Sequence, residues 1–191
     1  MFIIAIVLGT ISSKTSPGKC PSTTQVKNFN ADAYLGRWYE FRRDAGTPYE
    51  WMADCVTATY GLKENGNVRV ANRAWYWWFF FSYYEIVGEA NCNASGERGA
   101  CYVNFDQSEN KDMNKDKNYL ILDTDYYNYA VVYSCFERNS NKIEDFWILT
   151  REPVPSSSDQ TKYKDLAKSL VPEYDHDYVI YTKQGDTCKY E

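Results

Sequence analysis

The chain has 191 residues, which suits one domain built on one hydrophobic core. Hydrophobic residues make up 44% and charged residues 25%, a balance that excludes a disordered chain. The net charge of -5 and the lack of a basic patch argue against a nucleic-acid-binding module, so no nucleic-acid partner is expected.

Residues 1–16 read as a secretory leader, with residues 17–191 forming the single mature domain. Phe2 to Leu8 is a short apolar run followed by small and hydroxyl residues. It is too short to cross a bilayer as a helix. Its first residues carry no Lys or Arg, so a buried N-terminal strand is the competing reading. The cleavage point falls between about Ser13 and Lys19. The cysteines Cys20, Cys55, Cys92, Cys101, Cys135 and Cys188 all follow the leader. An even number in that setting points to disulfides, with connectivity left open by the count. There is no C-x-x-C pair and the one histidine is His176, so no metal site is expected.

Next come short runs rich in Val, Ile, Thr and aromatics, separated by turn signals. This spacing is that of an all-β sandwich or barrel. Val68, Val70, Asn72 and Ala74 share one face of a strand, with Arg69 and Arg73 on the other. From Tyr83 to Ala90, Glu85 and Glu89 oppose Tyr84, Ile86, Gly88 and Ala90. Such one-sided polarity means a sheet with one wet and one covered face. Asn65-Gly66 marks a tight hairpin between Tyr60 and Val68. Between these two strands, Trp75 to Tyr84 holds nine aromatics in ten positions without alternation. One helix is predicted from Asp159 to Leu170, capped by a preceding Ser or by Asp159 and ended by Pro172. Tyr163, Leu166, Ala167 and Leu170 form its apolar stripe. A last short strand covers Asp177 to Thr182.

Three segments together resemble the lipocalin family. Gly36-Arg37-Trp38 looks like its G-x-W motif, Thr124-Asp125-Tyr126 like its T-D-Y motif, and Arg151 like the arginine that ends the eighth strand. The resemblance is closest to the apolipoprotein D and bilin- or carotenoid-binding group. It is carried by Cys20-Pro21, Cys55 to Tyr60, Glu64-Asn65-Gly66, Asn72-Arg73, Gly88-Glu89-Ala90 and Thr124 to Cys135. It implies an eight-stranded antiparallel up-and-down β-barrel with the C-terminal helix packed outside. It also implies that Trp38 and Arg151 close the base through a cation–π contact, a structural rather than ligand-binding role. The implied disulfides are Cys20–Cys135 and Cys55–Cys188. This leaves Cys92–Cys101 as a local pair that departs from the group. Asn93, in Asn93-Ala94-Ser95, is an N-glycosylation sequon inside that small loop.

The resemblance further implies an extracellular carrier of a small hydrophobic ligand: a bilin, carotenoid, retinoid, steroid or fatty acid. No cofactor is required, although a tetrapyrrole, carotenoid or lipid could be bound. By parity, Val56, Ala58 and Tyr60, then Val68, Val70 and Asn72, then Trp147, Leu149 and Arg151 share inward faces. Tyr60, Asn72 and Trp147 match pocket positions of the group, with core filler as the lesser reading for Tyr60 and Trp147. An inward Asn72 amide costs free energy unless a ligand or water satisfies it.

Trp75, Trp77 and Tyr84 would join the pocket if the aromatic run forms a lid over the open mouth, near Pro48, Tyr49, Trp51 and Met52. The run could instead be core, or an exposed patch for a membrane or protein partner. An interaction module with a filled barrel is therefore the alternative function. An enzyme is not expected. There is no G-x-S-x-G, His176 reads as a surface residue, and all six cysteines can pair, which leaves no free thiol nucleophile.

Overall fold

The computed structural model describes residues 13–77, 81–92, 99–108 and 111–190. Asn93, most of the leader and the centre of the aromatic run lie outside the described residues.

Among the described residues, ten strands form one antiparallel sheet: β1 (Lys14–Pro17), β2 (Gly36–Asp44), β3 (Ala53–Leu62), β4 (Val68–Tyr76), β5 (Ser82–Asn91), β6 (Ala100–Asn104), β7 (Tyr119–Thr124), β8 (Tyr129–Arg138), β9 (Asn141–Thr150) and β10 (Val179–Tyr181). Strands β2 to β9 run up and down in sequence order, and β9 pairs back onto β2. The expected eight-stranded barrel is thus closed, and closure leaves no unpaired edge within it. The flanking strands sit at the seam. β1 pairs with β9 through Lys14↔Glu144, and β10 pairs with β2 through Val179↔Asp44. Lys14 and its neighbours, inside the segment read as leader, therefore belong to the sheet in this chain.

Turn chemistry sets the register. In the Tyr60–Val68 hairpin, Gly66 takes φ +80° and Lys63 N–H donates to Asn67 O at 2.8 Å. At the β8–β9 turn, Asn139 and Ser140 both have positive φ, as the commonest tight hairpins require. Where β5 meets β6, a Cβ on Gly88 would lie 2.7 Å from Asn104 O and 2.6 Å from the Phe105 ring, so only glycine fits there.

Among the described residues two α-helices accompany the strands. The predicted C-terminal one, α2, spans Ser157–Leu170 and is capped by Ser156, whose hydroxyl accepts from Asp159 N–H at 3.2 Å. A one-turn helix too short to show a periodic pattern, α1 (Ala31–Tyr34), is capped by Asn30.

Alternation splits most of the buried residues between two cores, with a smaller cluster of Ala53, Val56 and Ala74 beside them. The inner one collects Tyr34, Trp38, Tyr60, Val68, Val70, Ile121, Val132 and Leu149 inside the barrel. The outer one collects Phe41, Val131, Tyr133, Phe146 and Ile148 under Tyr163 and Ala167 of α2. His176 belongs to this outer layer, half-buried with its ring edge-on to Phe146 and Tyr174, rather than on the open surface.

Three disulfides join Cys20 to Cys135, Cys55 to Cys188 and Cys92 to Cys101. The first two tie the N-terminal arm and C-terminal tail to the barrel. The third closes the connection between β5 and β6. Among the described residues no helix is long and apolar enough to cross a membrane.

Candidate functional site: an apolar cavity inside the barrel

One end of the barrel is shut. Trp38 is fully buried, and its indole N–H donates to Tyr34 O at 2.9 Å. The Arg151 guanidinium stacks 3.8 Å over the Trp38 ring and donates to the carbonyls of Tyr126, Arg37 and Leu35 at 3.0, 2.8 and 2.9 Å. A charged donor used up on carbonyls and an aromatic face is a lock on the chain, not a ligand contact.

The T-D-Y segment serves the same end. Thr124 and Asp125 accept from or donate to the turn that starts β8, including Tyr129 N–H to Asp125 Oδ1 at 3.1 Å. The Tyr126 hydroxyl accepts from Asn30 N–H at 3.2 Å. Gly36, at φ +90°, lets the chain turn from α1 into β2 beneath Arg151.

Above this floor lies a cavity of about 1080 Å³. Val56, Ala58 and Tyr60 of β3, Val70 and Asn72 of β4, Tyr84 of β5, and Trp147 and Leu149 of β9 all line it. Strand alternation brings these together because β3, β4 and β9 each present one face inward. It also turns Trp75 and Trp77 away. Val70, Asn72 and Ala74 face in, so the odd-numbered residues face out. Trp75 packs edge-on against Tyr83, and Trp77 donates to Asp54 Oδ2 at 2.9 Å. Neither tryptophan lines the cavity, whereas Tyr76 between them does.

Near the floor three phenols share hydrogen bonds. The Tyr119 hydroxyl lies 3.2 Å from that of Tyr34 and 2.9 Å from that of Tyr60. Burial pushes the Tyr60 hydroxyl up to about 12, so it stays protonated. Asn72 contrasts with it: its Oδ1 is buried and has no hydrogen-bond partner.

Towards the mouth the wall turns polar in a way the strand pattern did not reveal. Glu40, Glu50 and Asp145 all line the cavity, and all are buried. Arg43 donates to Glu40 Oε1 at 3.0 Å and to the Glu50 carbonyl at 2.8 Å. The Trp147 indole donates to Glu50 Oε2 at 3.1 Å, and the Thr47 hydroxyl to Asp145 Oδ1 at 3.3 Å. Burial, with Glu40 beside it, raises the Glu50 carboxyl well above its ordinary range. Burial, with Asp44 nearby, raises Asp145 to about 6. Around the rim Tyr49, Trp51, Met52, Trp77, Phe81 and Tyr84 are exposed, Phe81 at 65%.

A Lipocalin-like domain family model matches residues 29–184. The chain is 30% identical over 192 residues to Lazarillo protein of Schistocerca americana, covering 97% of this chain and 84% of that one. It is 36% identical over 153 residues to apolipoprotein D of Mus musculus, covering 80% and 76%. Among solved structures, insecticyanin from the tobacco hornworm Manduca sexta superposes with a TM-score of 0.78 at 20% identity, covering 94% of each chain. Lobster apocrustacyanin A1 superposes at 0.73 and 22%, covering 96% of each. With the G-x-W, T-D-Y and Arg151 positions locked together at the base of a closed eight-stranded barrel, the chain belongs to the lipocalin family.

Proposed function

We propose that the protein is an extracellular carrier that holds one small hydrophobic molecule inside the barrel. The observation that carries this reading is the cavity itself. Its size matches or exceeds that of sites for drug-sized ligands. Its lower walls are Val, Ala, Leu and aromatic rings, which supply affinity without direction. Asn72 Oδ1 supplies direction, since a buried acceptor without a partner costs free energy that a ligand donor would recover. Bilins, carotenoids, retinoids, steroids and fatty acids all fit this description, and the flat wall of Trp147 favours conjugated bodies. Three disulfides support an oxidising compartment. Because Lys14 already pairs with Glu144, leader cleavage at the early end of the Ser13–Lys19 window would keep β1 intact.

The test is a tryptophan-quenching titration with an apolar probe such as retinol, on wild type and Asn72→Leu. Wild type is expected to bind in the micromolar range or tighter. Asn72→Leu is expected to change affinity for hydroxylated probes by roughly five- to ten-fold, the worth of one hydrogen bond. Absence of quenching in wild type would sink the carrier reading. The exposed aromatics at the rim favour one further role, a peripheral contact with a membrane surface made through the mouth.

A further inference from the structure

The segment 105–118, which joins β6 to β7, contains a residue that the motifs left aside. The Asn118 side chain brackets Val103, accepting from its N–H at 2.7 Å and donating to its carbonyl at 2.9 Å. This pins the chain against β6 just before β7 begins. Tyr119 then turns its hydroxyl onto Tyr60 inside the barrel. Lys117, in the connection two residues before β7, lines the same cavity, as do its neighbours Asp116 and Asn118. Its Nζ is buried and has no hydrogen-bond partner, and no carboxylate forms an ion pair with it among the described residues. An ammonium withdrawn from water without a counter-charge is costly, and lysine is rarely kept so.

None of the carboxylates that line the cavity, Glu40, Glu50, Asp116, Glu137 and Asp145, forms an ion pair with Lys117. Glu40 and Glu50 are engaged by Arg43 and Trp147. They sit on β2 and the turn after it, and β6 is four strands from β2 in either direction around the barrel. Burial also holds Glu50 towards its neutral form, which reduces its repulsion of an anion.

We propose that Lys117 is an anion anchor of the cavity, and that the natural occupant is an apolar molecule carrying a carboxylate. This rests on the carrier reading and narrows it. Fatty acids, carboxylated retinoids and bilins with propionate arms qualify, whereas hydrocarbon carotenoids and sterols do not. In this arrangement the apolar body lies against Val70, Leu149 and Trp147, and the carboxylate accepts from Lys117 Nζ.

The test uses the full disulfide-bonded chain and two pairs of probes. One pair is cis-parinaric acid and its methyl ester, the other biliverdin and its dimethyl ester. The pair that binds more tightly tells a slender chain from a tetrapyrrole. For that pair, wild type should bind the acid roughly ten-fold or more tightly than the ester, as expected for a charge-assisted hydrogen bond. Lys117→Met should abolish the preference by weakening the acid alone, and Lys117→Arg should keep it. Equal binding of acid and ester by wild type, or equal weakening of both in Lys117→Met, overturns the inference and leaves the carrier reading standing. Failure of every probe to bind overturns both.

Discussion

The two ends of the barrel solve opposite problems. At the base, the polar groups of the motifs have their partners within the chain: Arg151 is spent on carbonyls and the Trp38 ring, and Asp125 on the turn it caps. Further up, the interior keeps groups that the chain leaves unsatisfied, Asn72 Oδ1 and Lys117 Nζ, together with carboxyls held away from their ordinary titration. Satisfied groups specify a scaffold, and unsatisfied or strained ones mark where binding repays a cost. The contrast sets the groups that hold the scaffold and the groups proposed to bind a ligand at different heights in the same barrel.

The strongest way to break this comparison is to damage the base. Trp38→Ala removes a fully buried ring together with the surface on which Arg151 stacks. It should cost roughly 3–5 kcal/mol in denaturant unfolding of ligand-free protein. A cost below about 1 kcal/mol would mean that the floor is not the scaffold's lock.

The disulfides sharpen the comparison next. Cys55–Cys188 spans 133 residues and Cys92–Cys101 only 9. Loop-closure entropy assigns them roughly 5 and 2.5 kcal/mol. Paired Cys→Ser replacements should therefore separate by about 2 kcal/mol in unfolding free energy, with the long loop the more important.

The smallest of these effects lies at the mouth. Asp145 is raised to about 6, above its ordinary value of 3.8. The folded state therefore binds its proton more tightly than the unfolded state does. The stabilising effect of that proton is fully present below about pH 4 and is lost as pH rises through 6. Asp145→Asn should stabilise the protein by roughly 1–2 kcal/mol at pH 7 and flatten the stability profile between pH 4 and 6. An unchanged profile would show that this carboxyl is not under the burial described.

The base and the mouth also differ in how far the residues announced them. Gly36, Trp38, Thr124, Asp125, Tyr126 and Arg151 could be placed because motif spacing and strand parity agree on one arrangement. The C-terminal helix was legible from Tyr163, Ala167 and its Ser cap, which are local signals. Glu50 was not, because it lies in a loop with no periodicity to orient it. Asp145 was not, because its strand alternates on both sides between residues that pack against core and cavity. Trp75 and Trp77 read from sequence as lid residues of the cavity because a run of aromatics carries no alternation. Only the pairing of β4 with β3 and β5 fixes which face each occupies. The helix α1 and strand β1 are too short to carry a pattern, and are held by an Asn30 cap and by pairing to β9.

The central claim, that the cavity holds a small hydrophobic molecule, is tested most directly by purifying the protein from its native source, recording its absorbance, and identifying any organic extract by mass spectrometry. The account predicts one apolar ligand per barrel, with a visible band if the ligand is a conjugated pigment. A protein that yields no extractable ligand, and whose tryptophan fluorescence no apolar probe quenches, would contradict it.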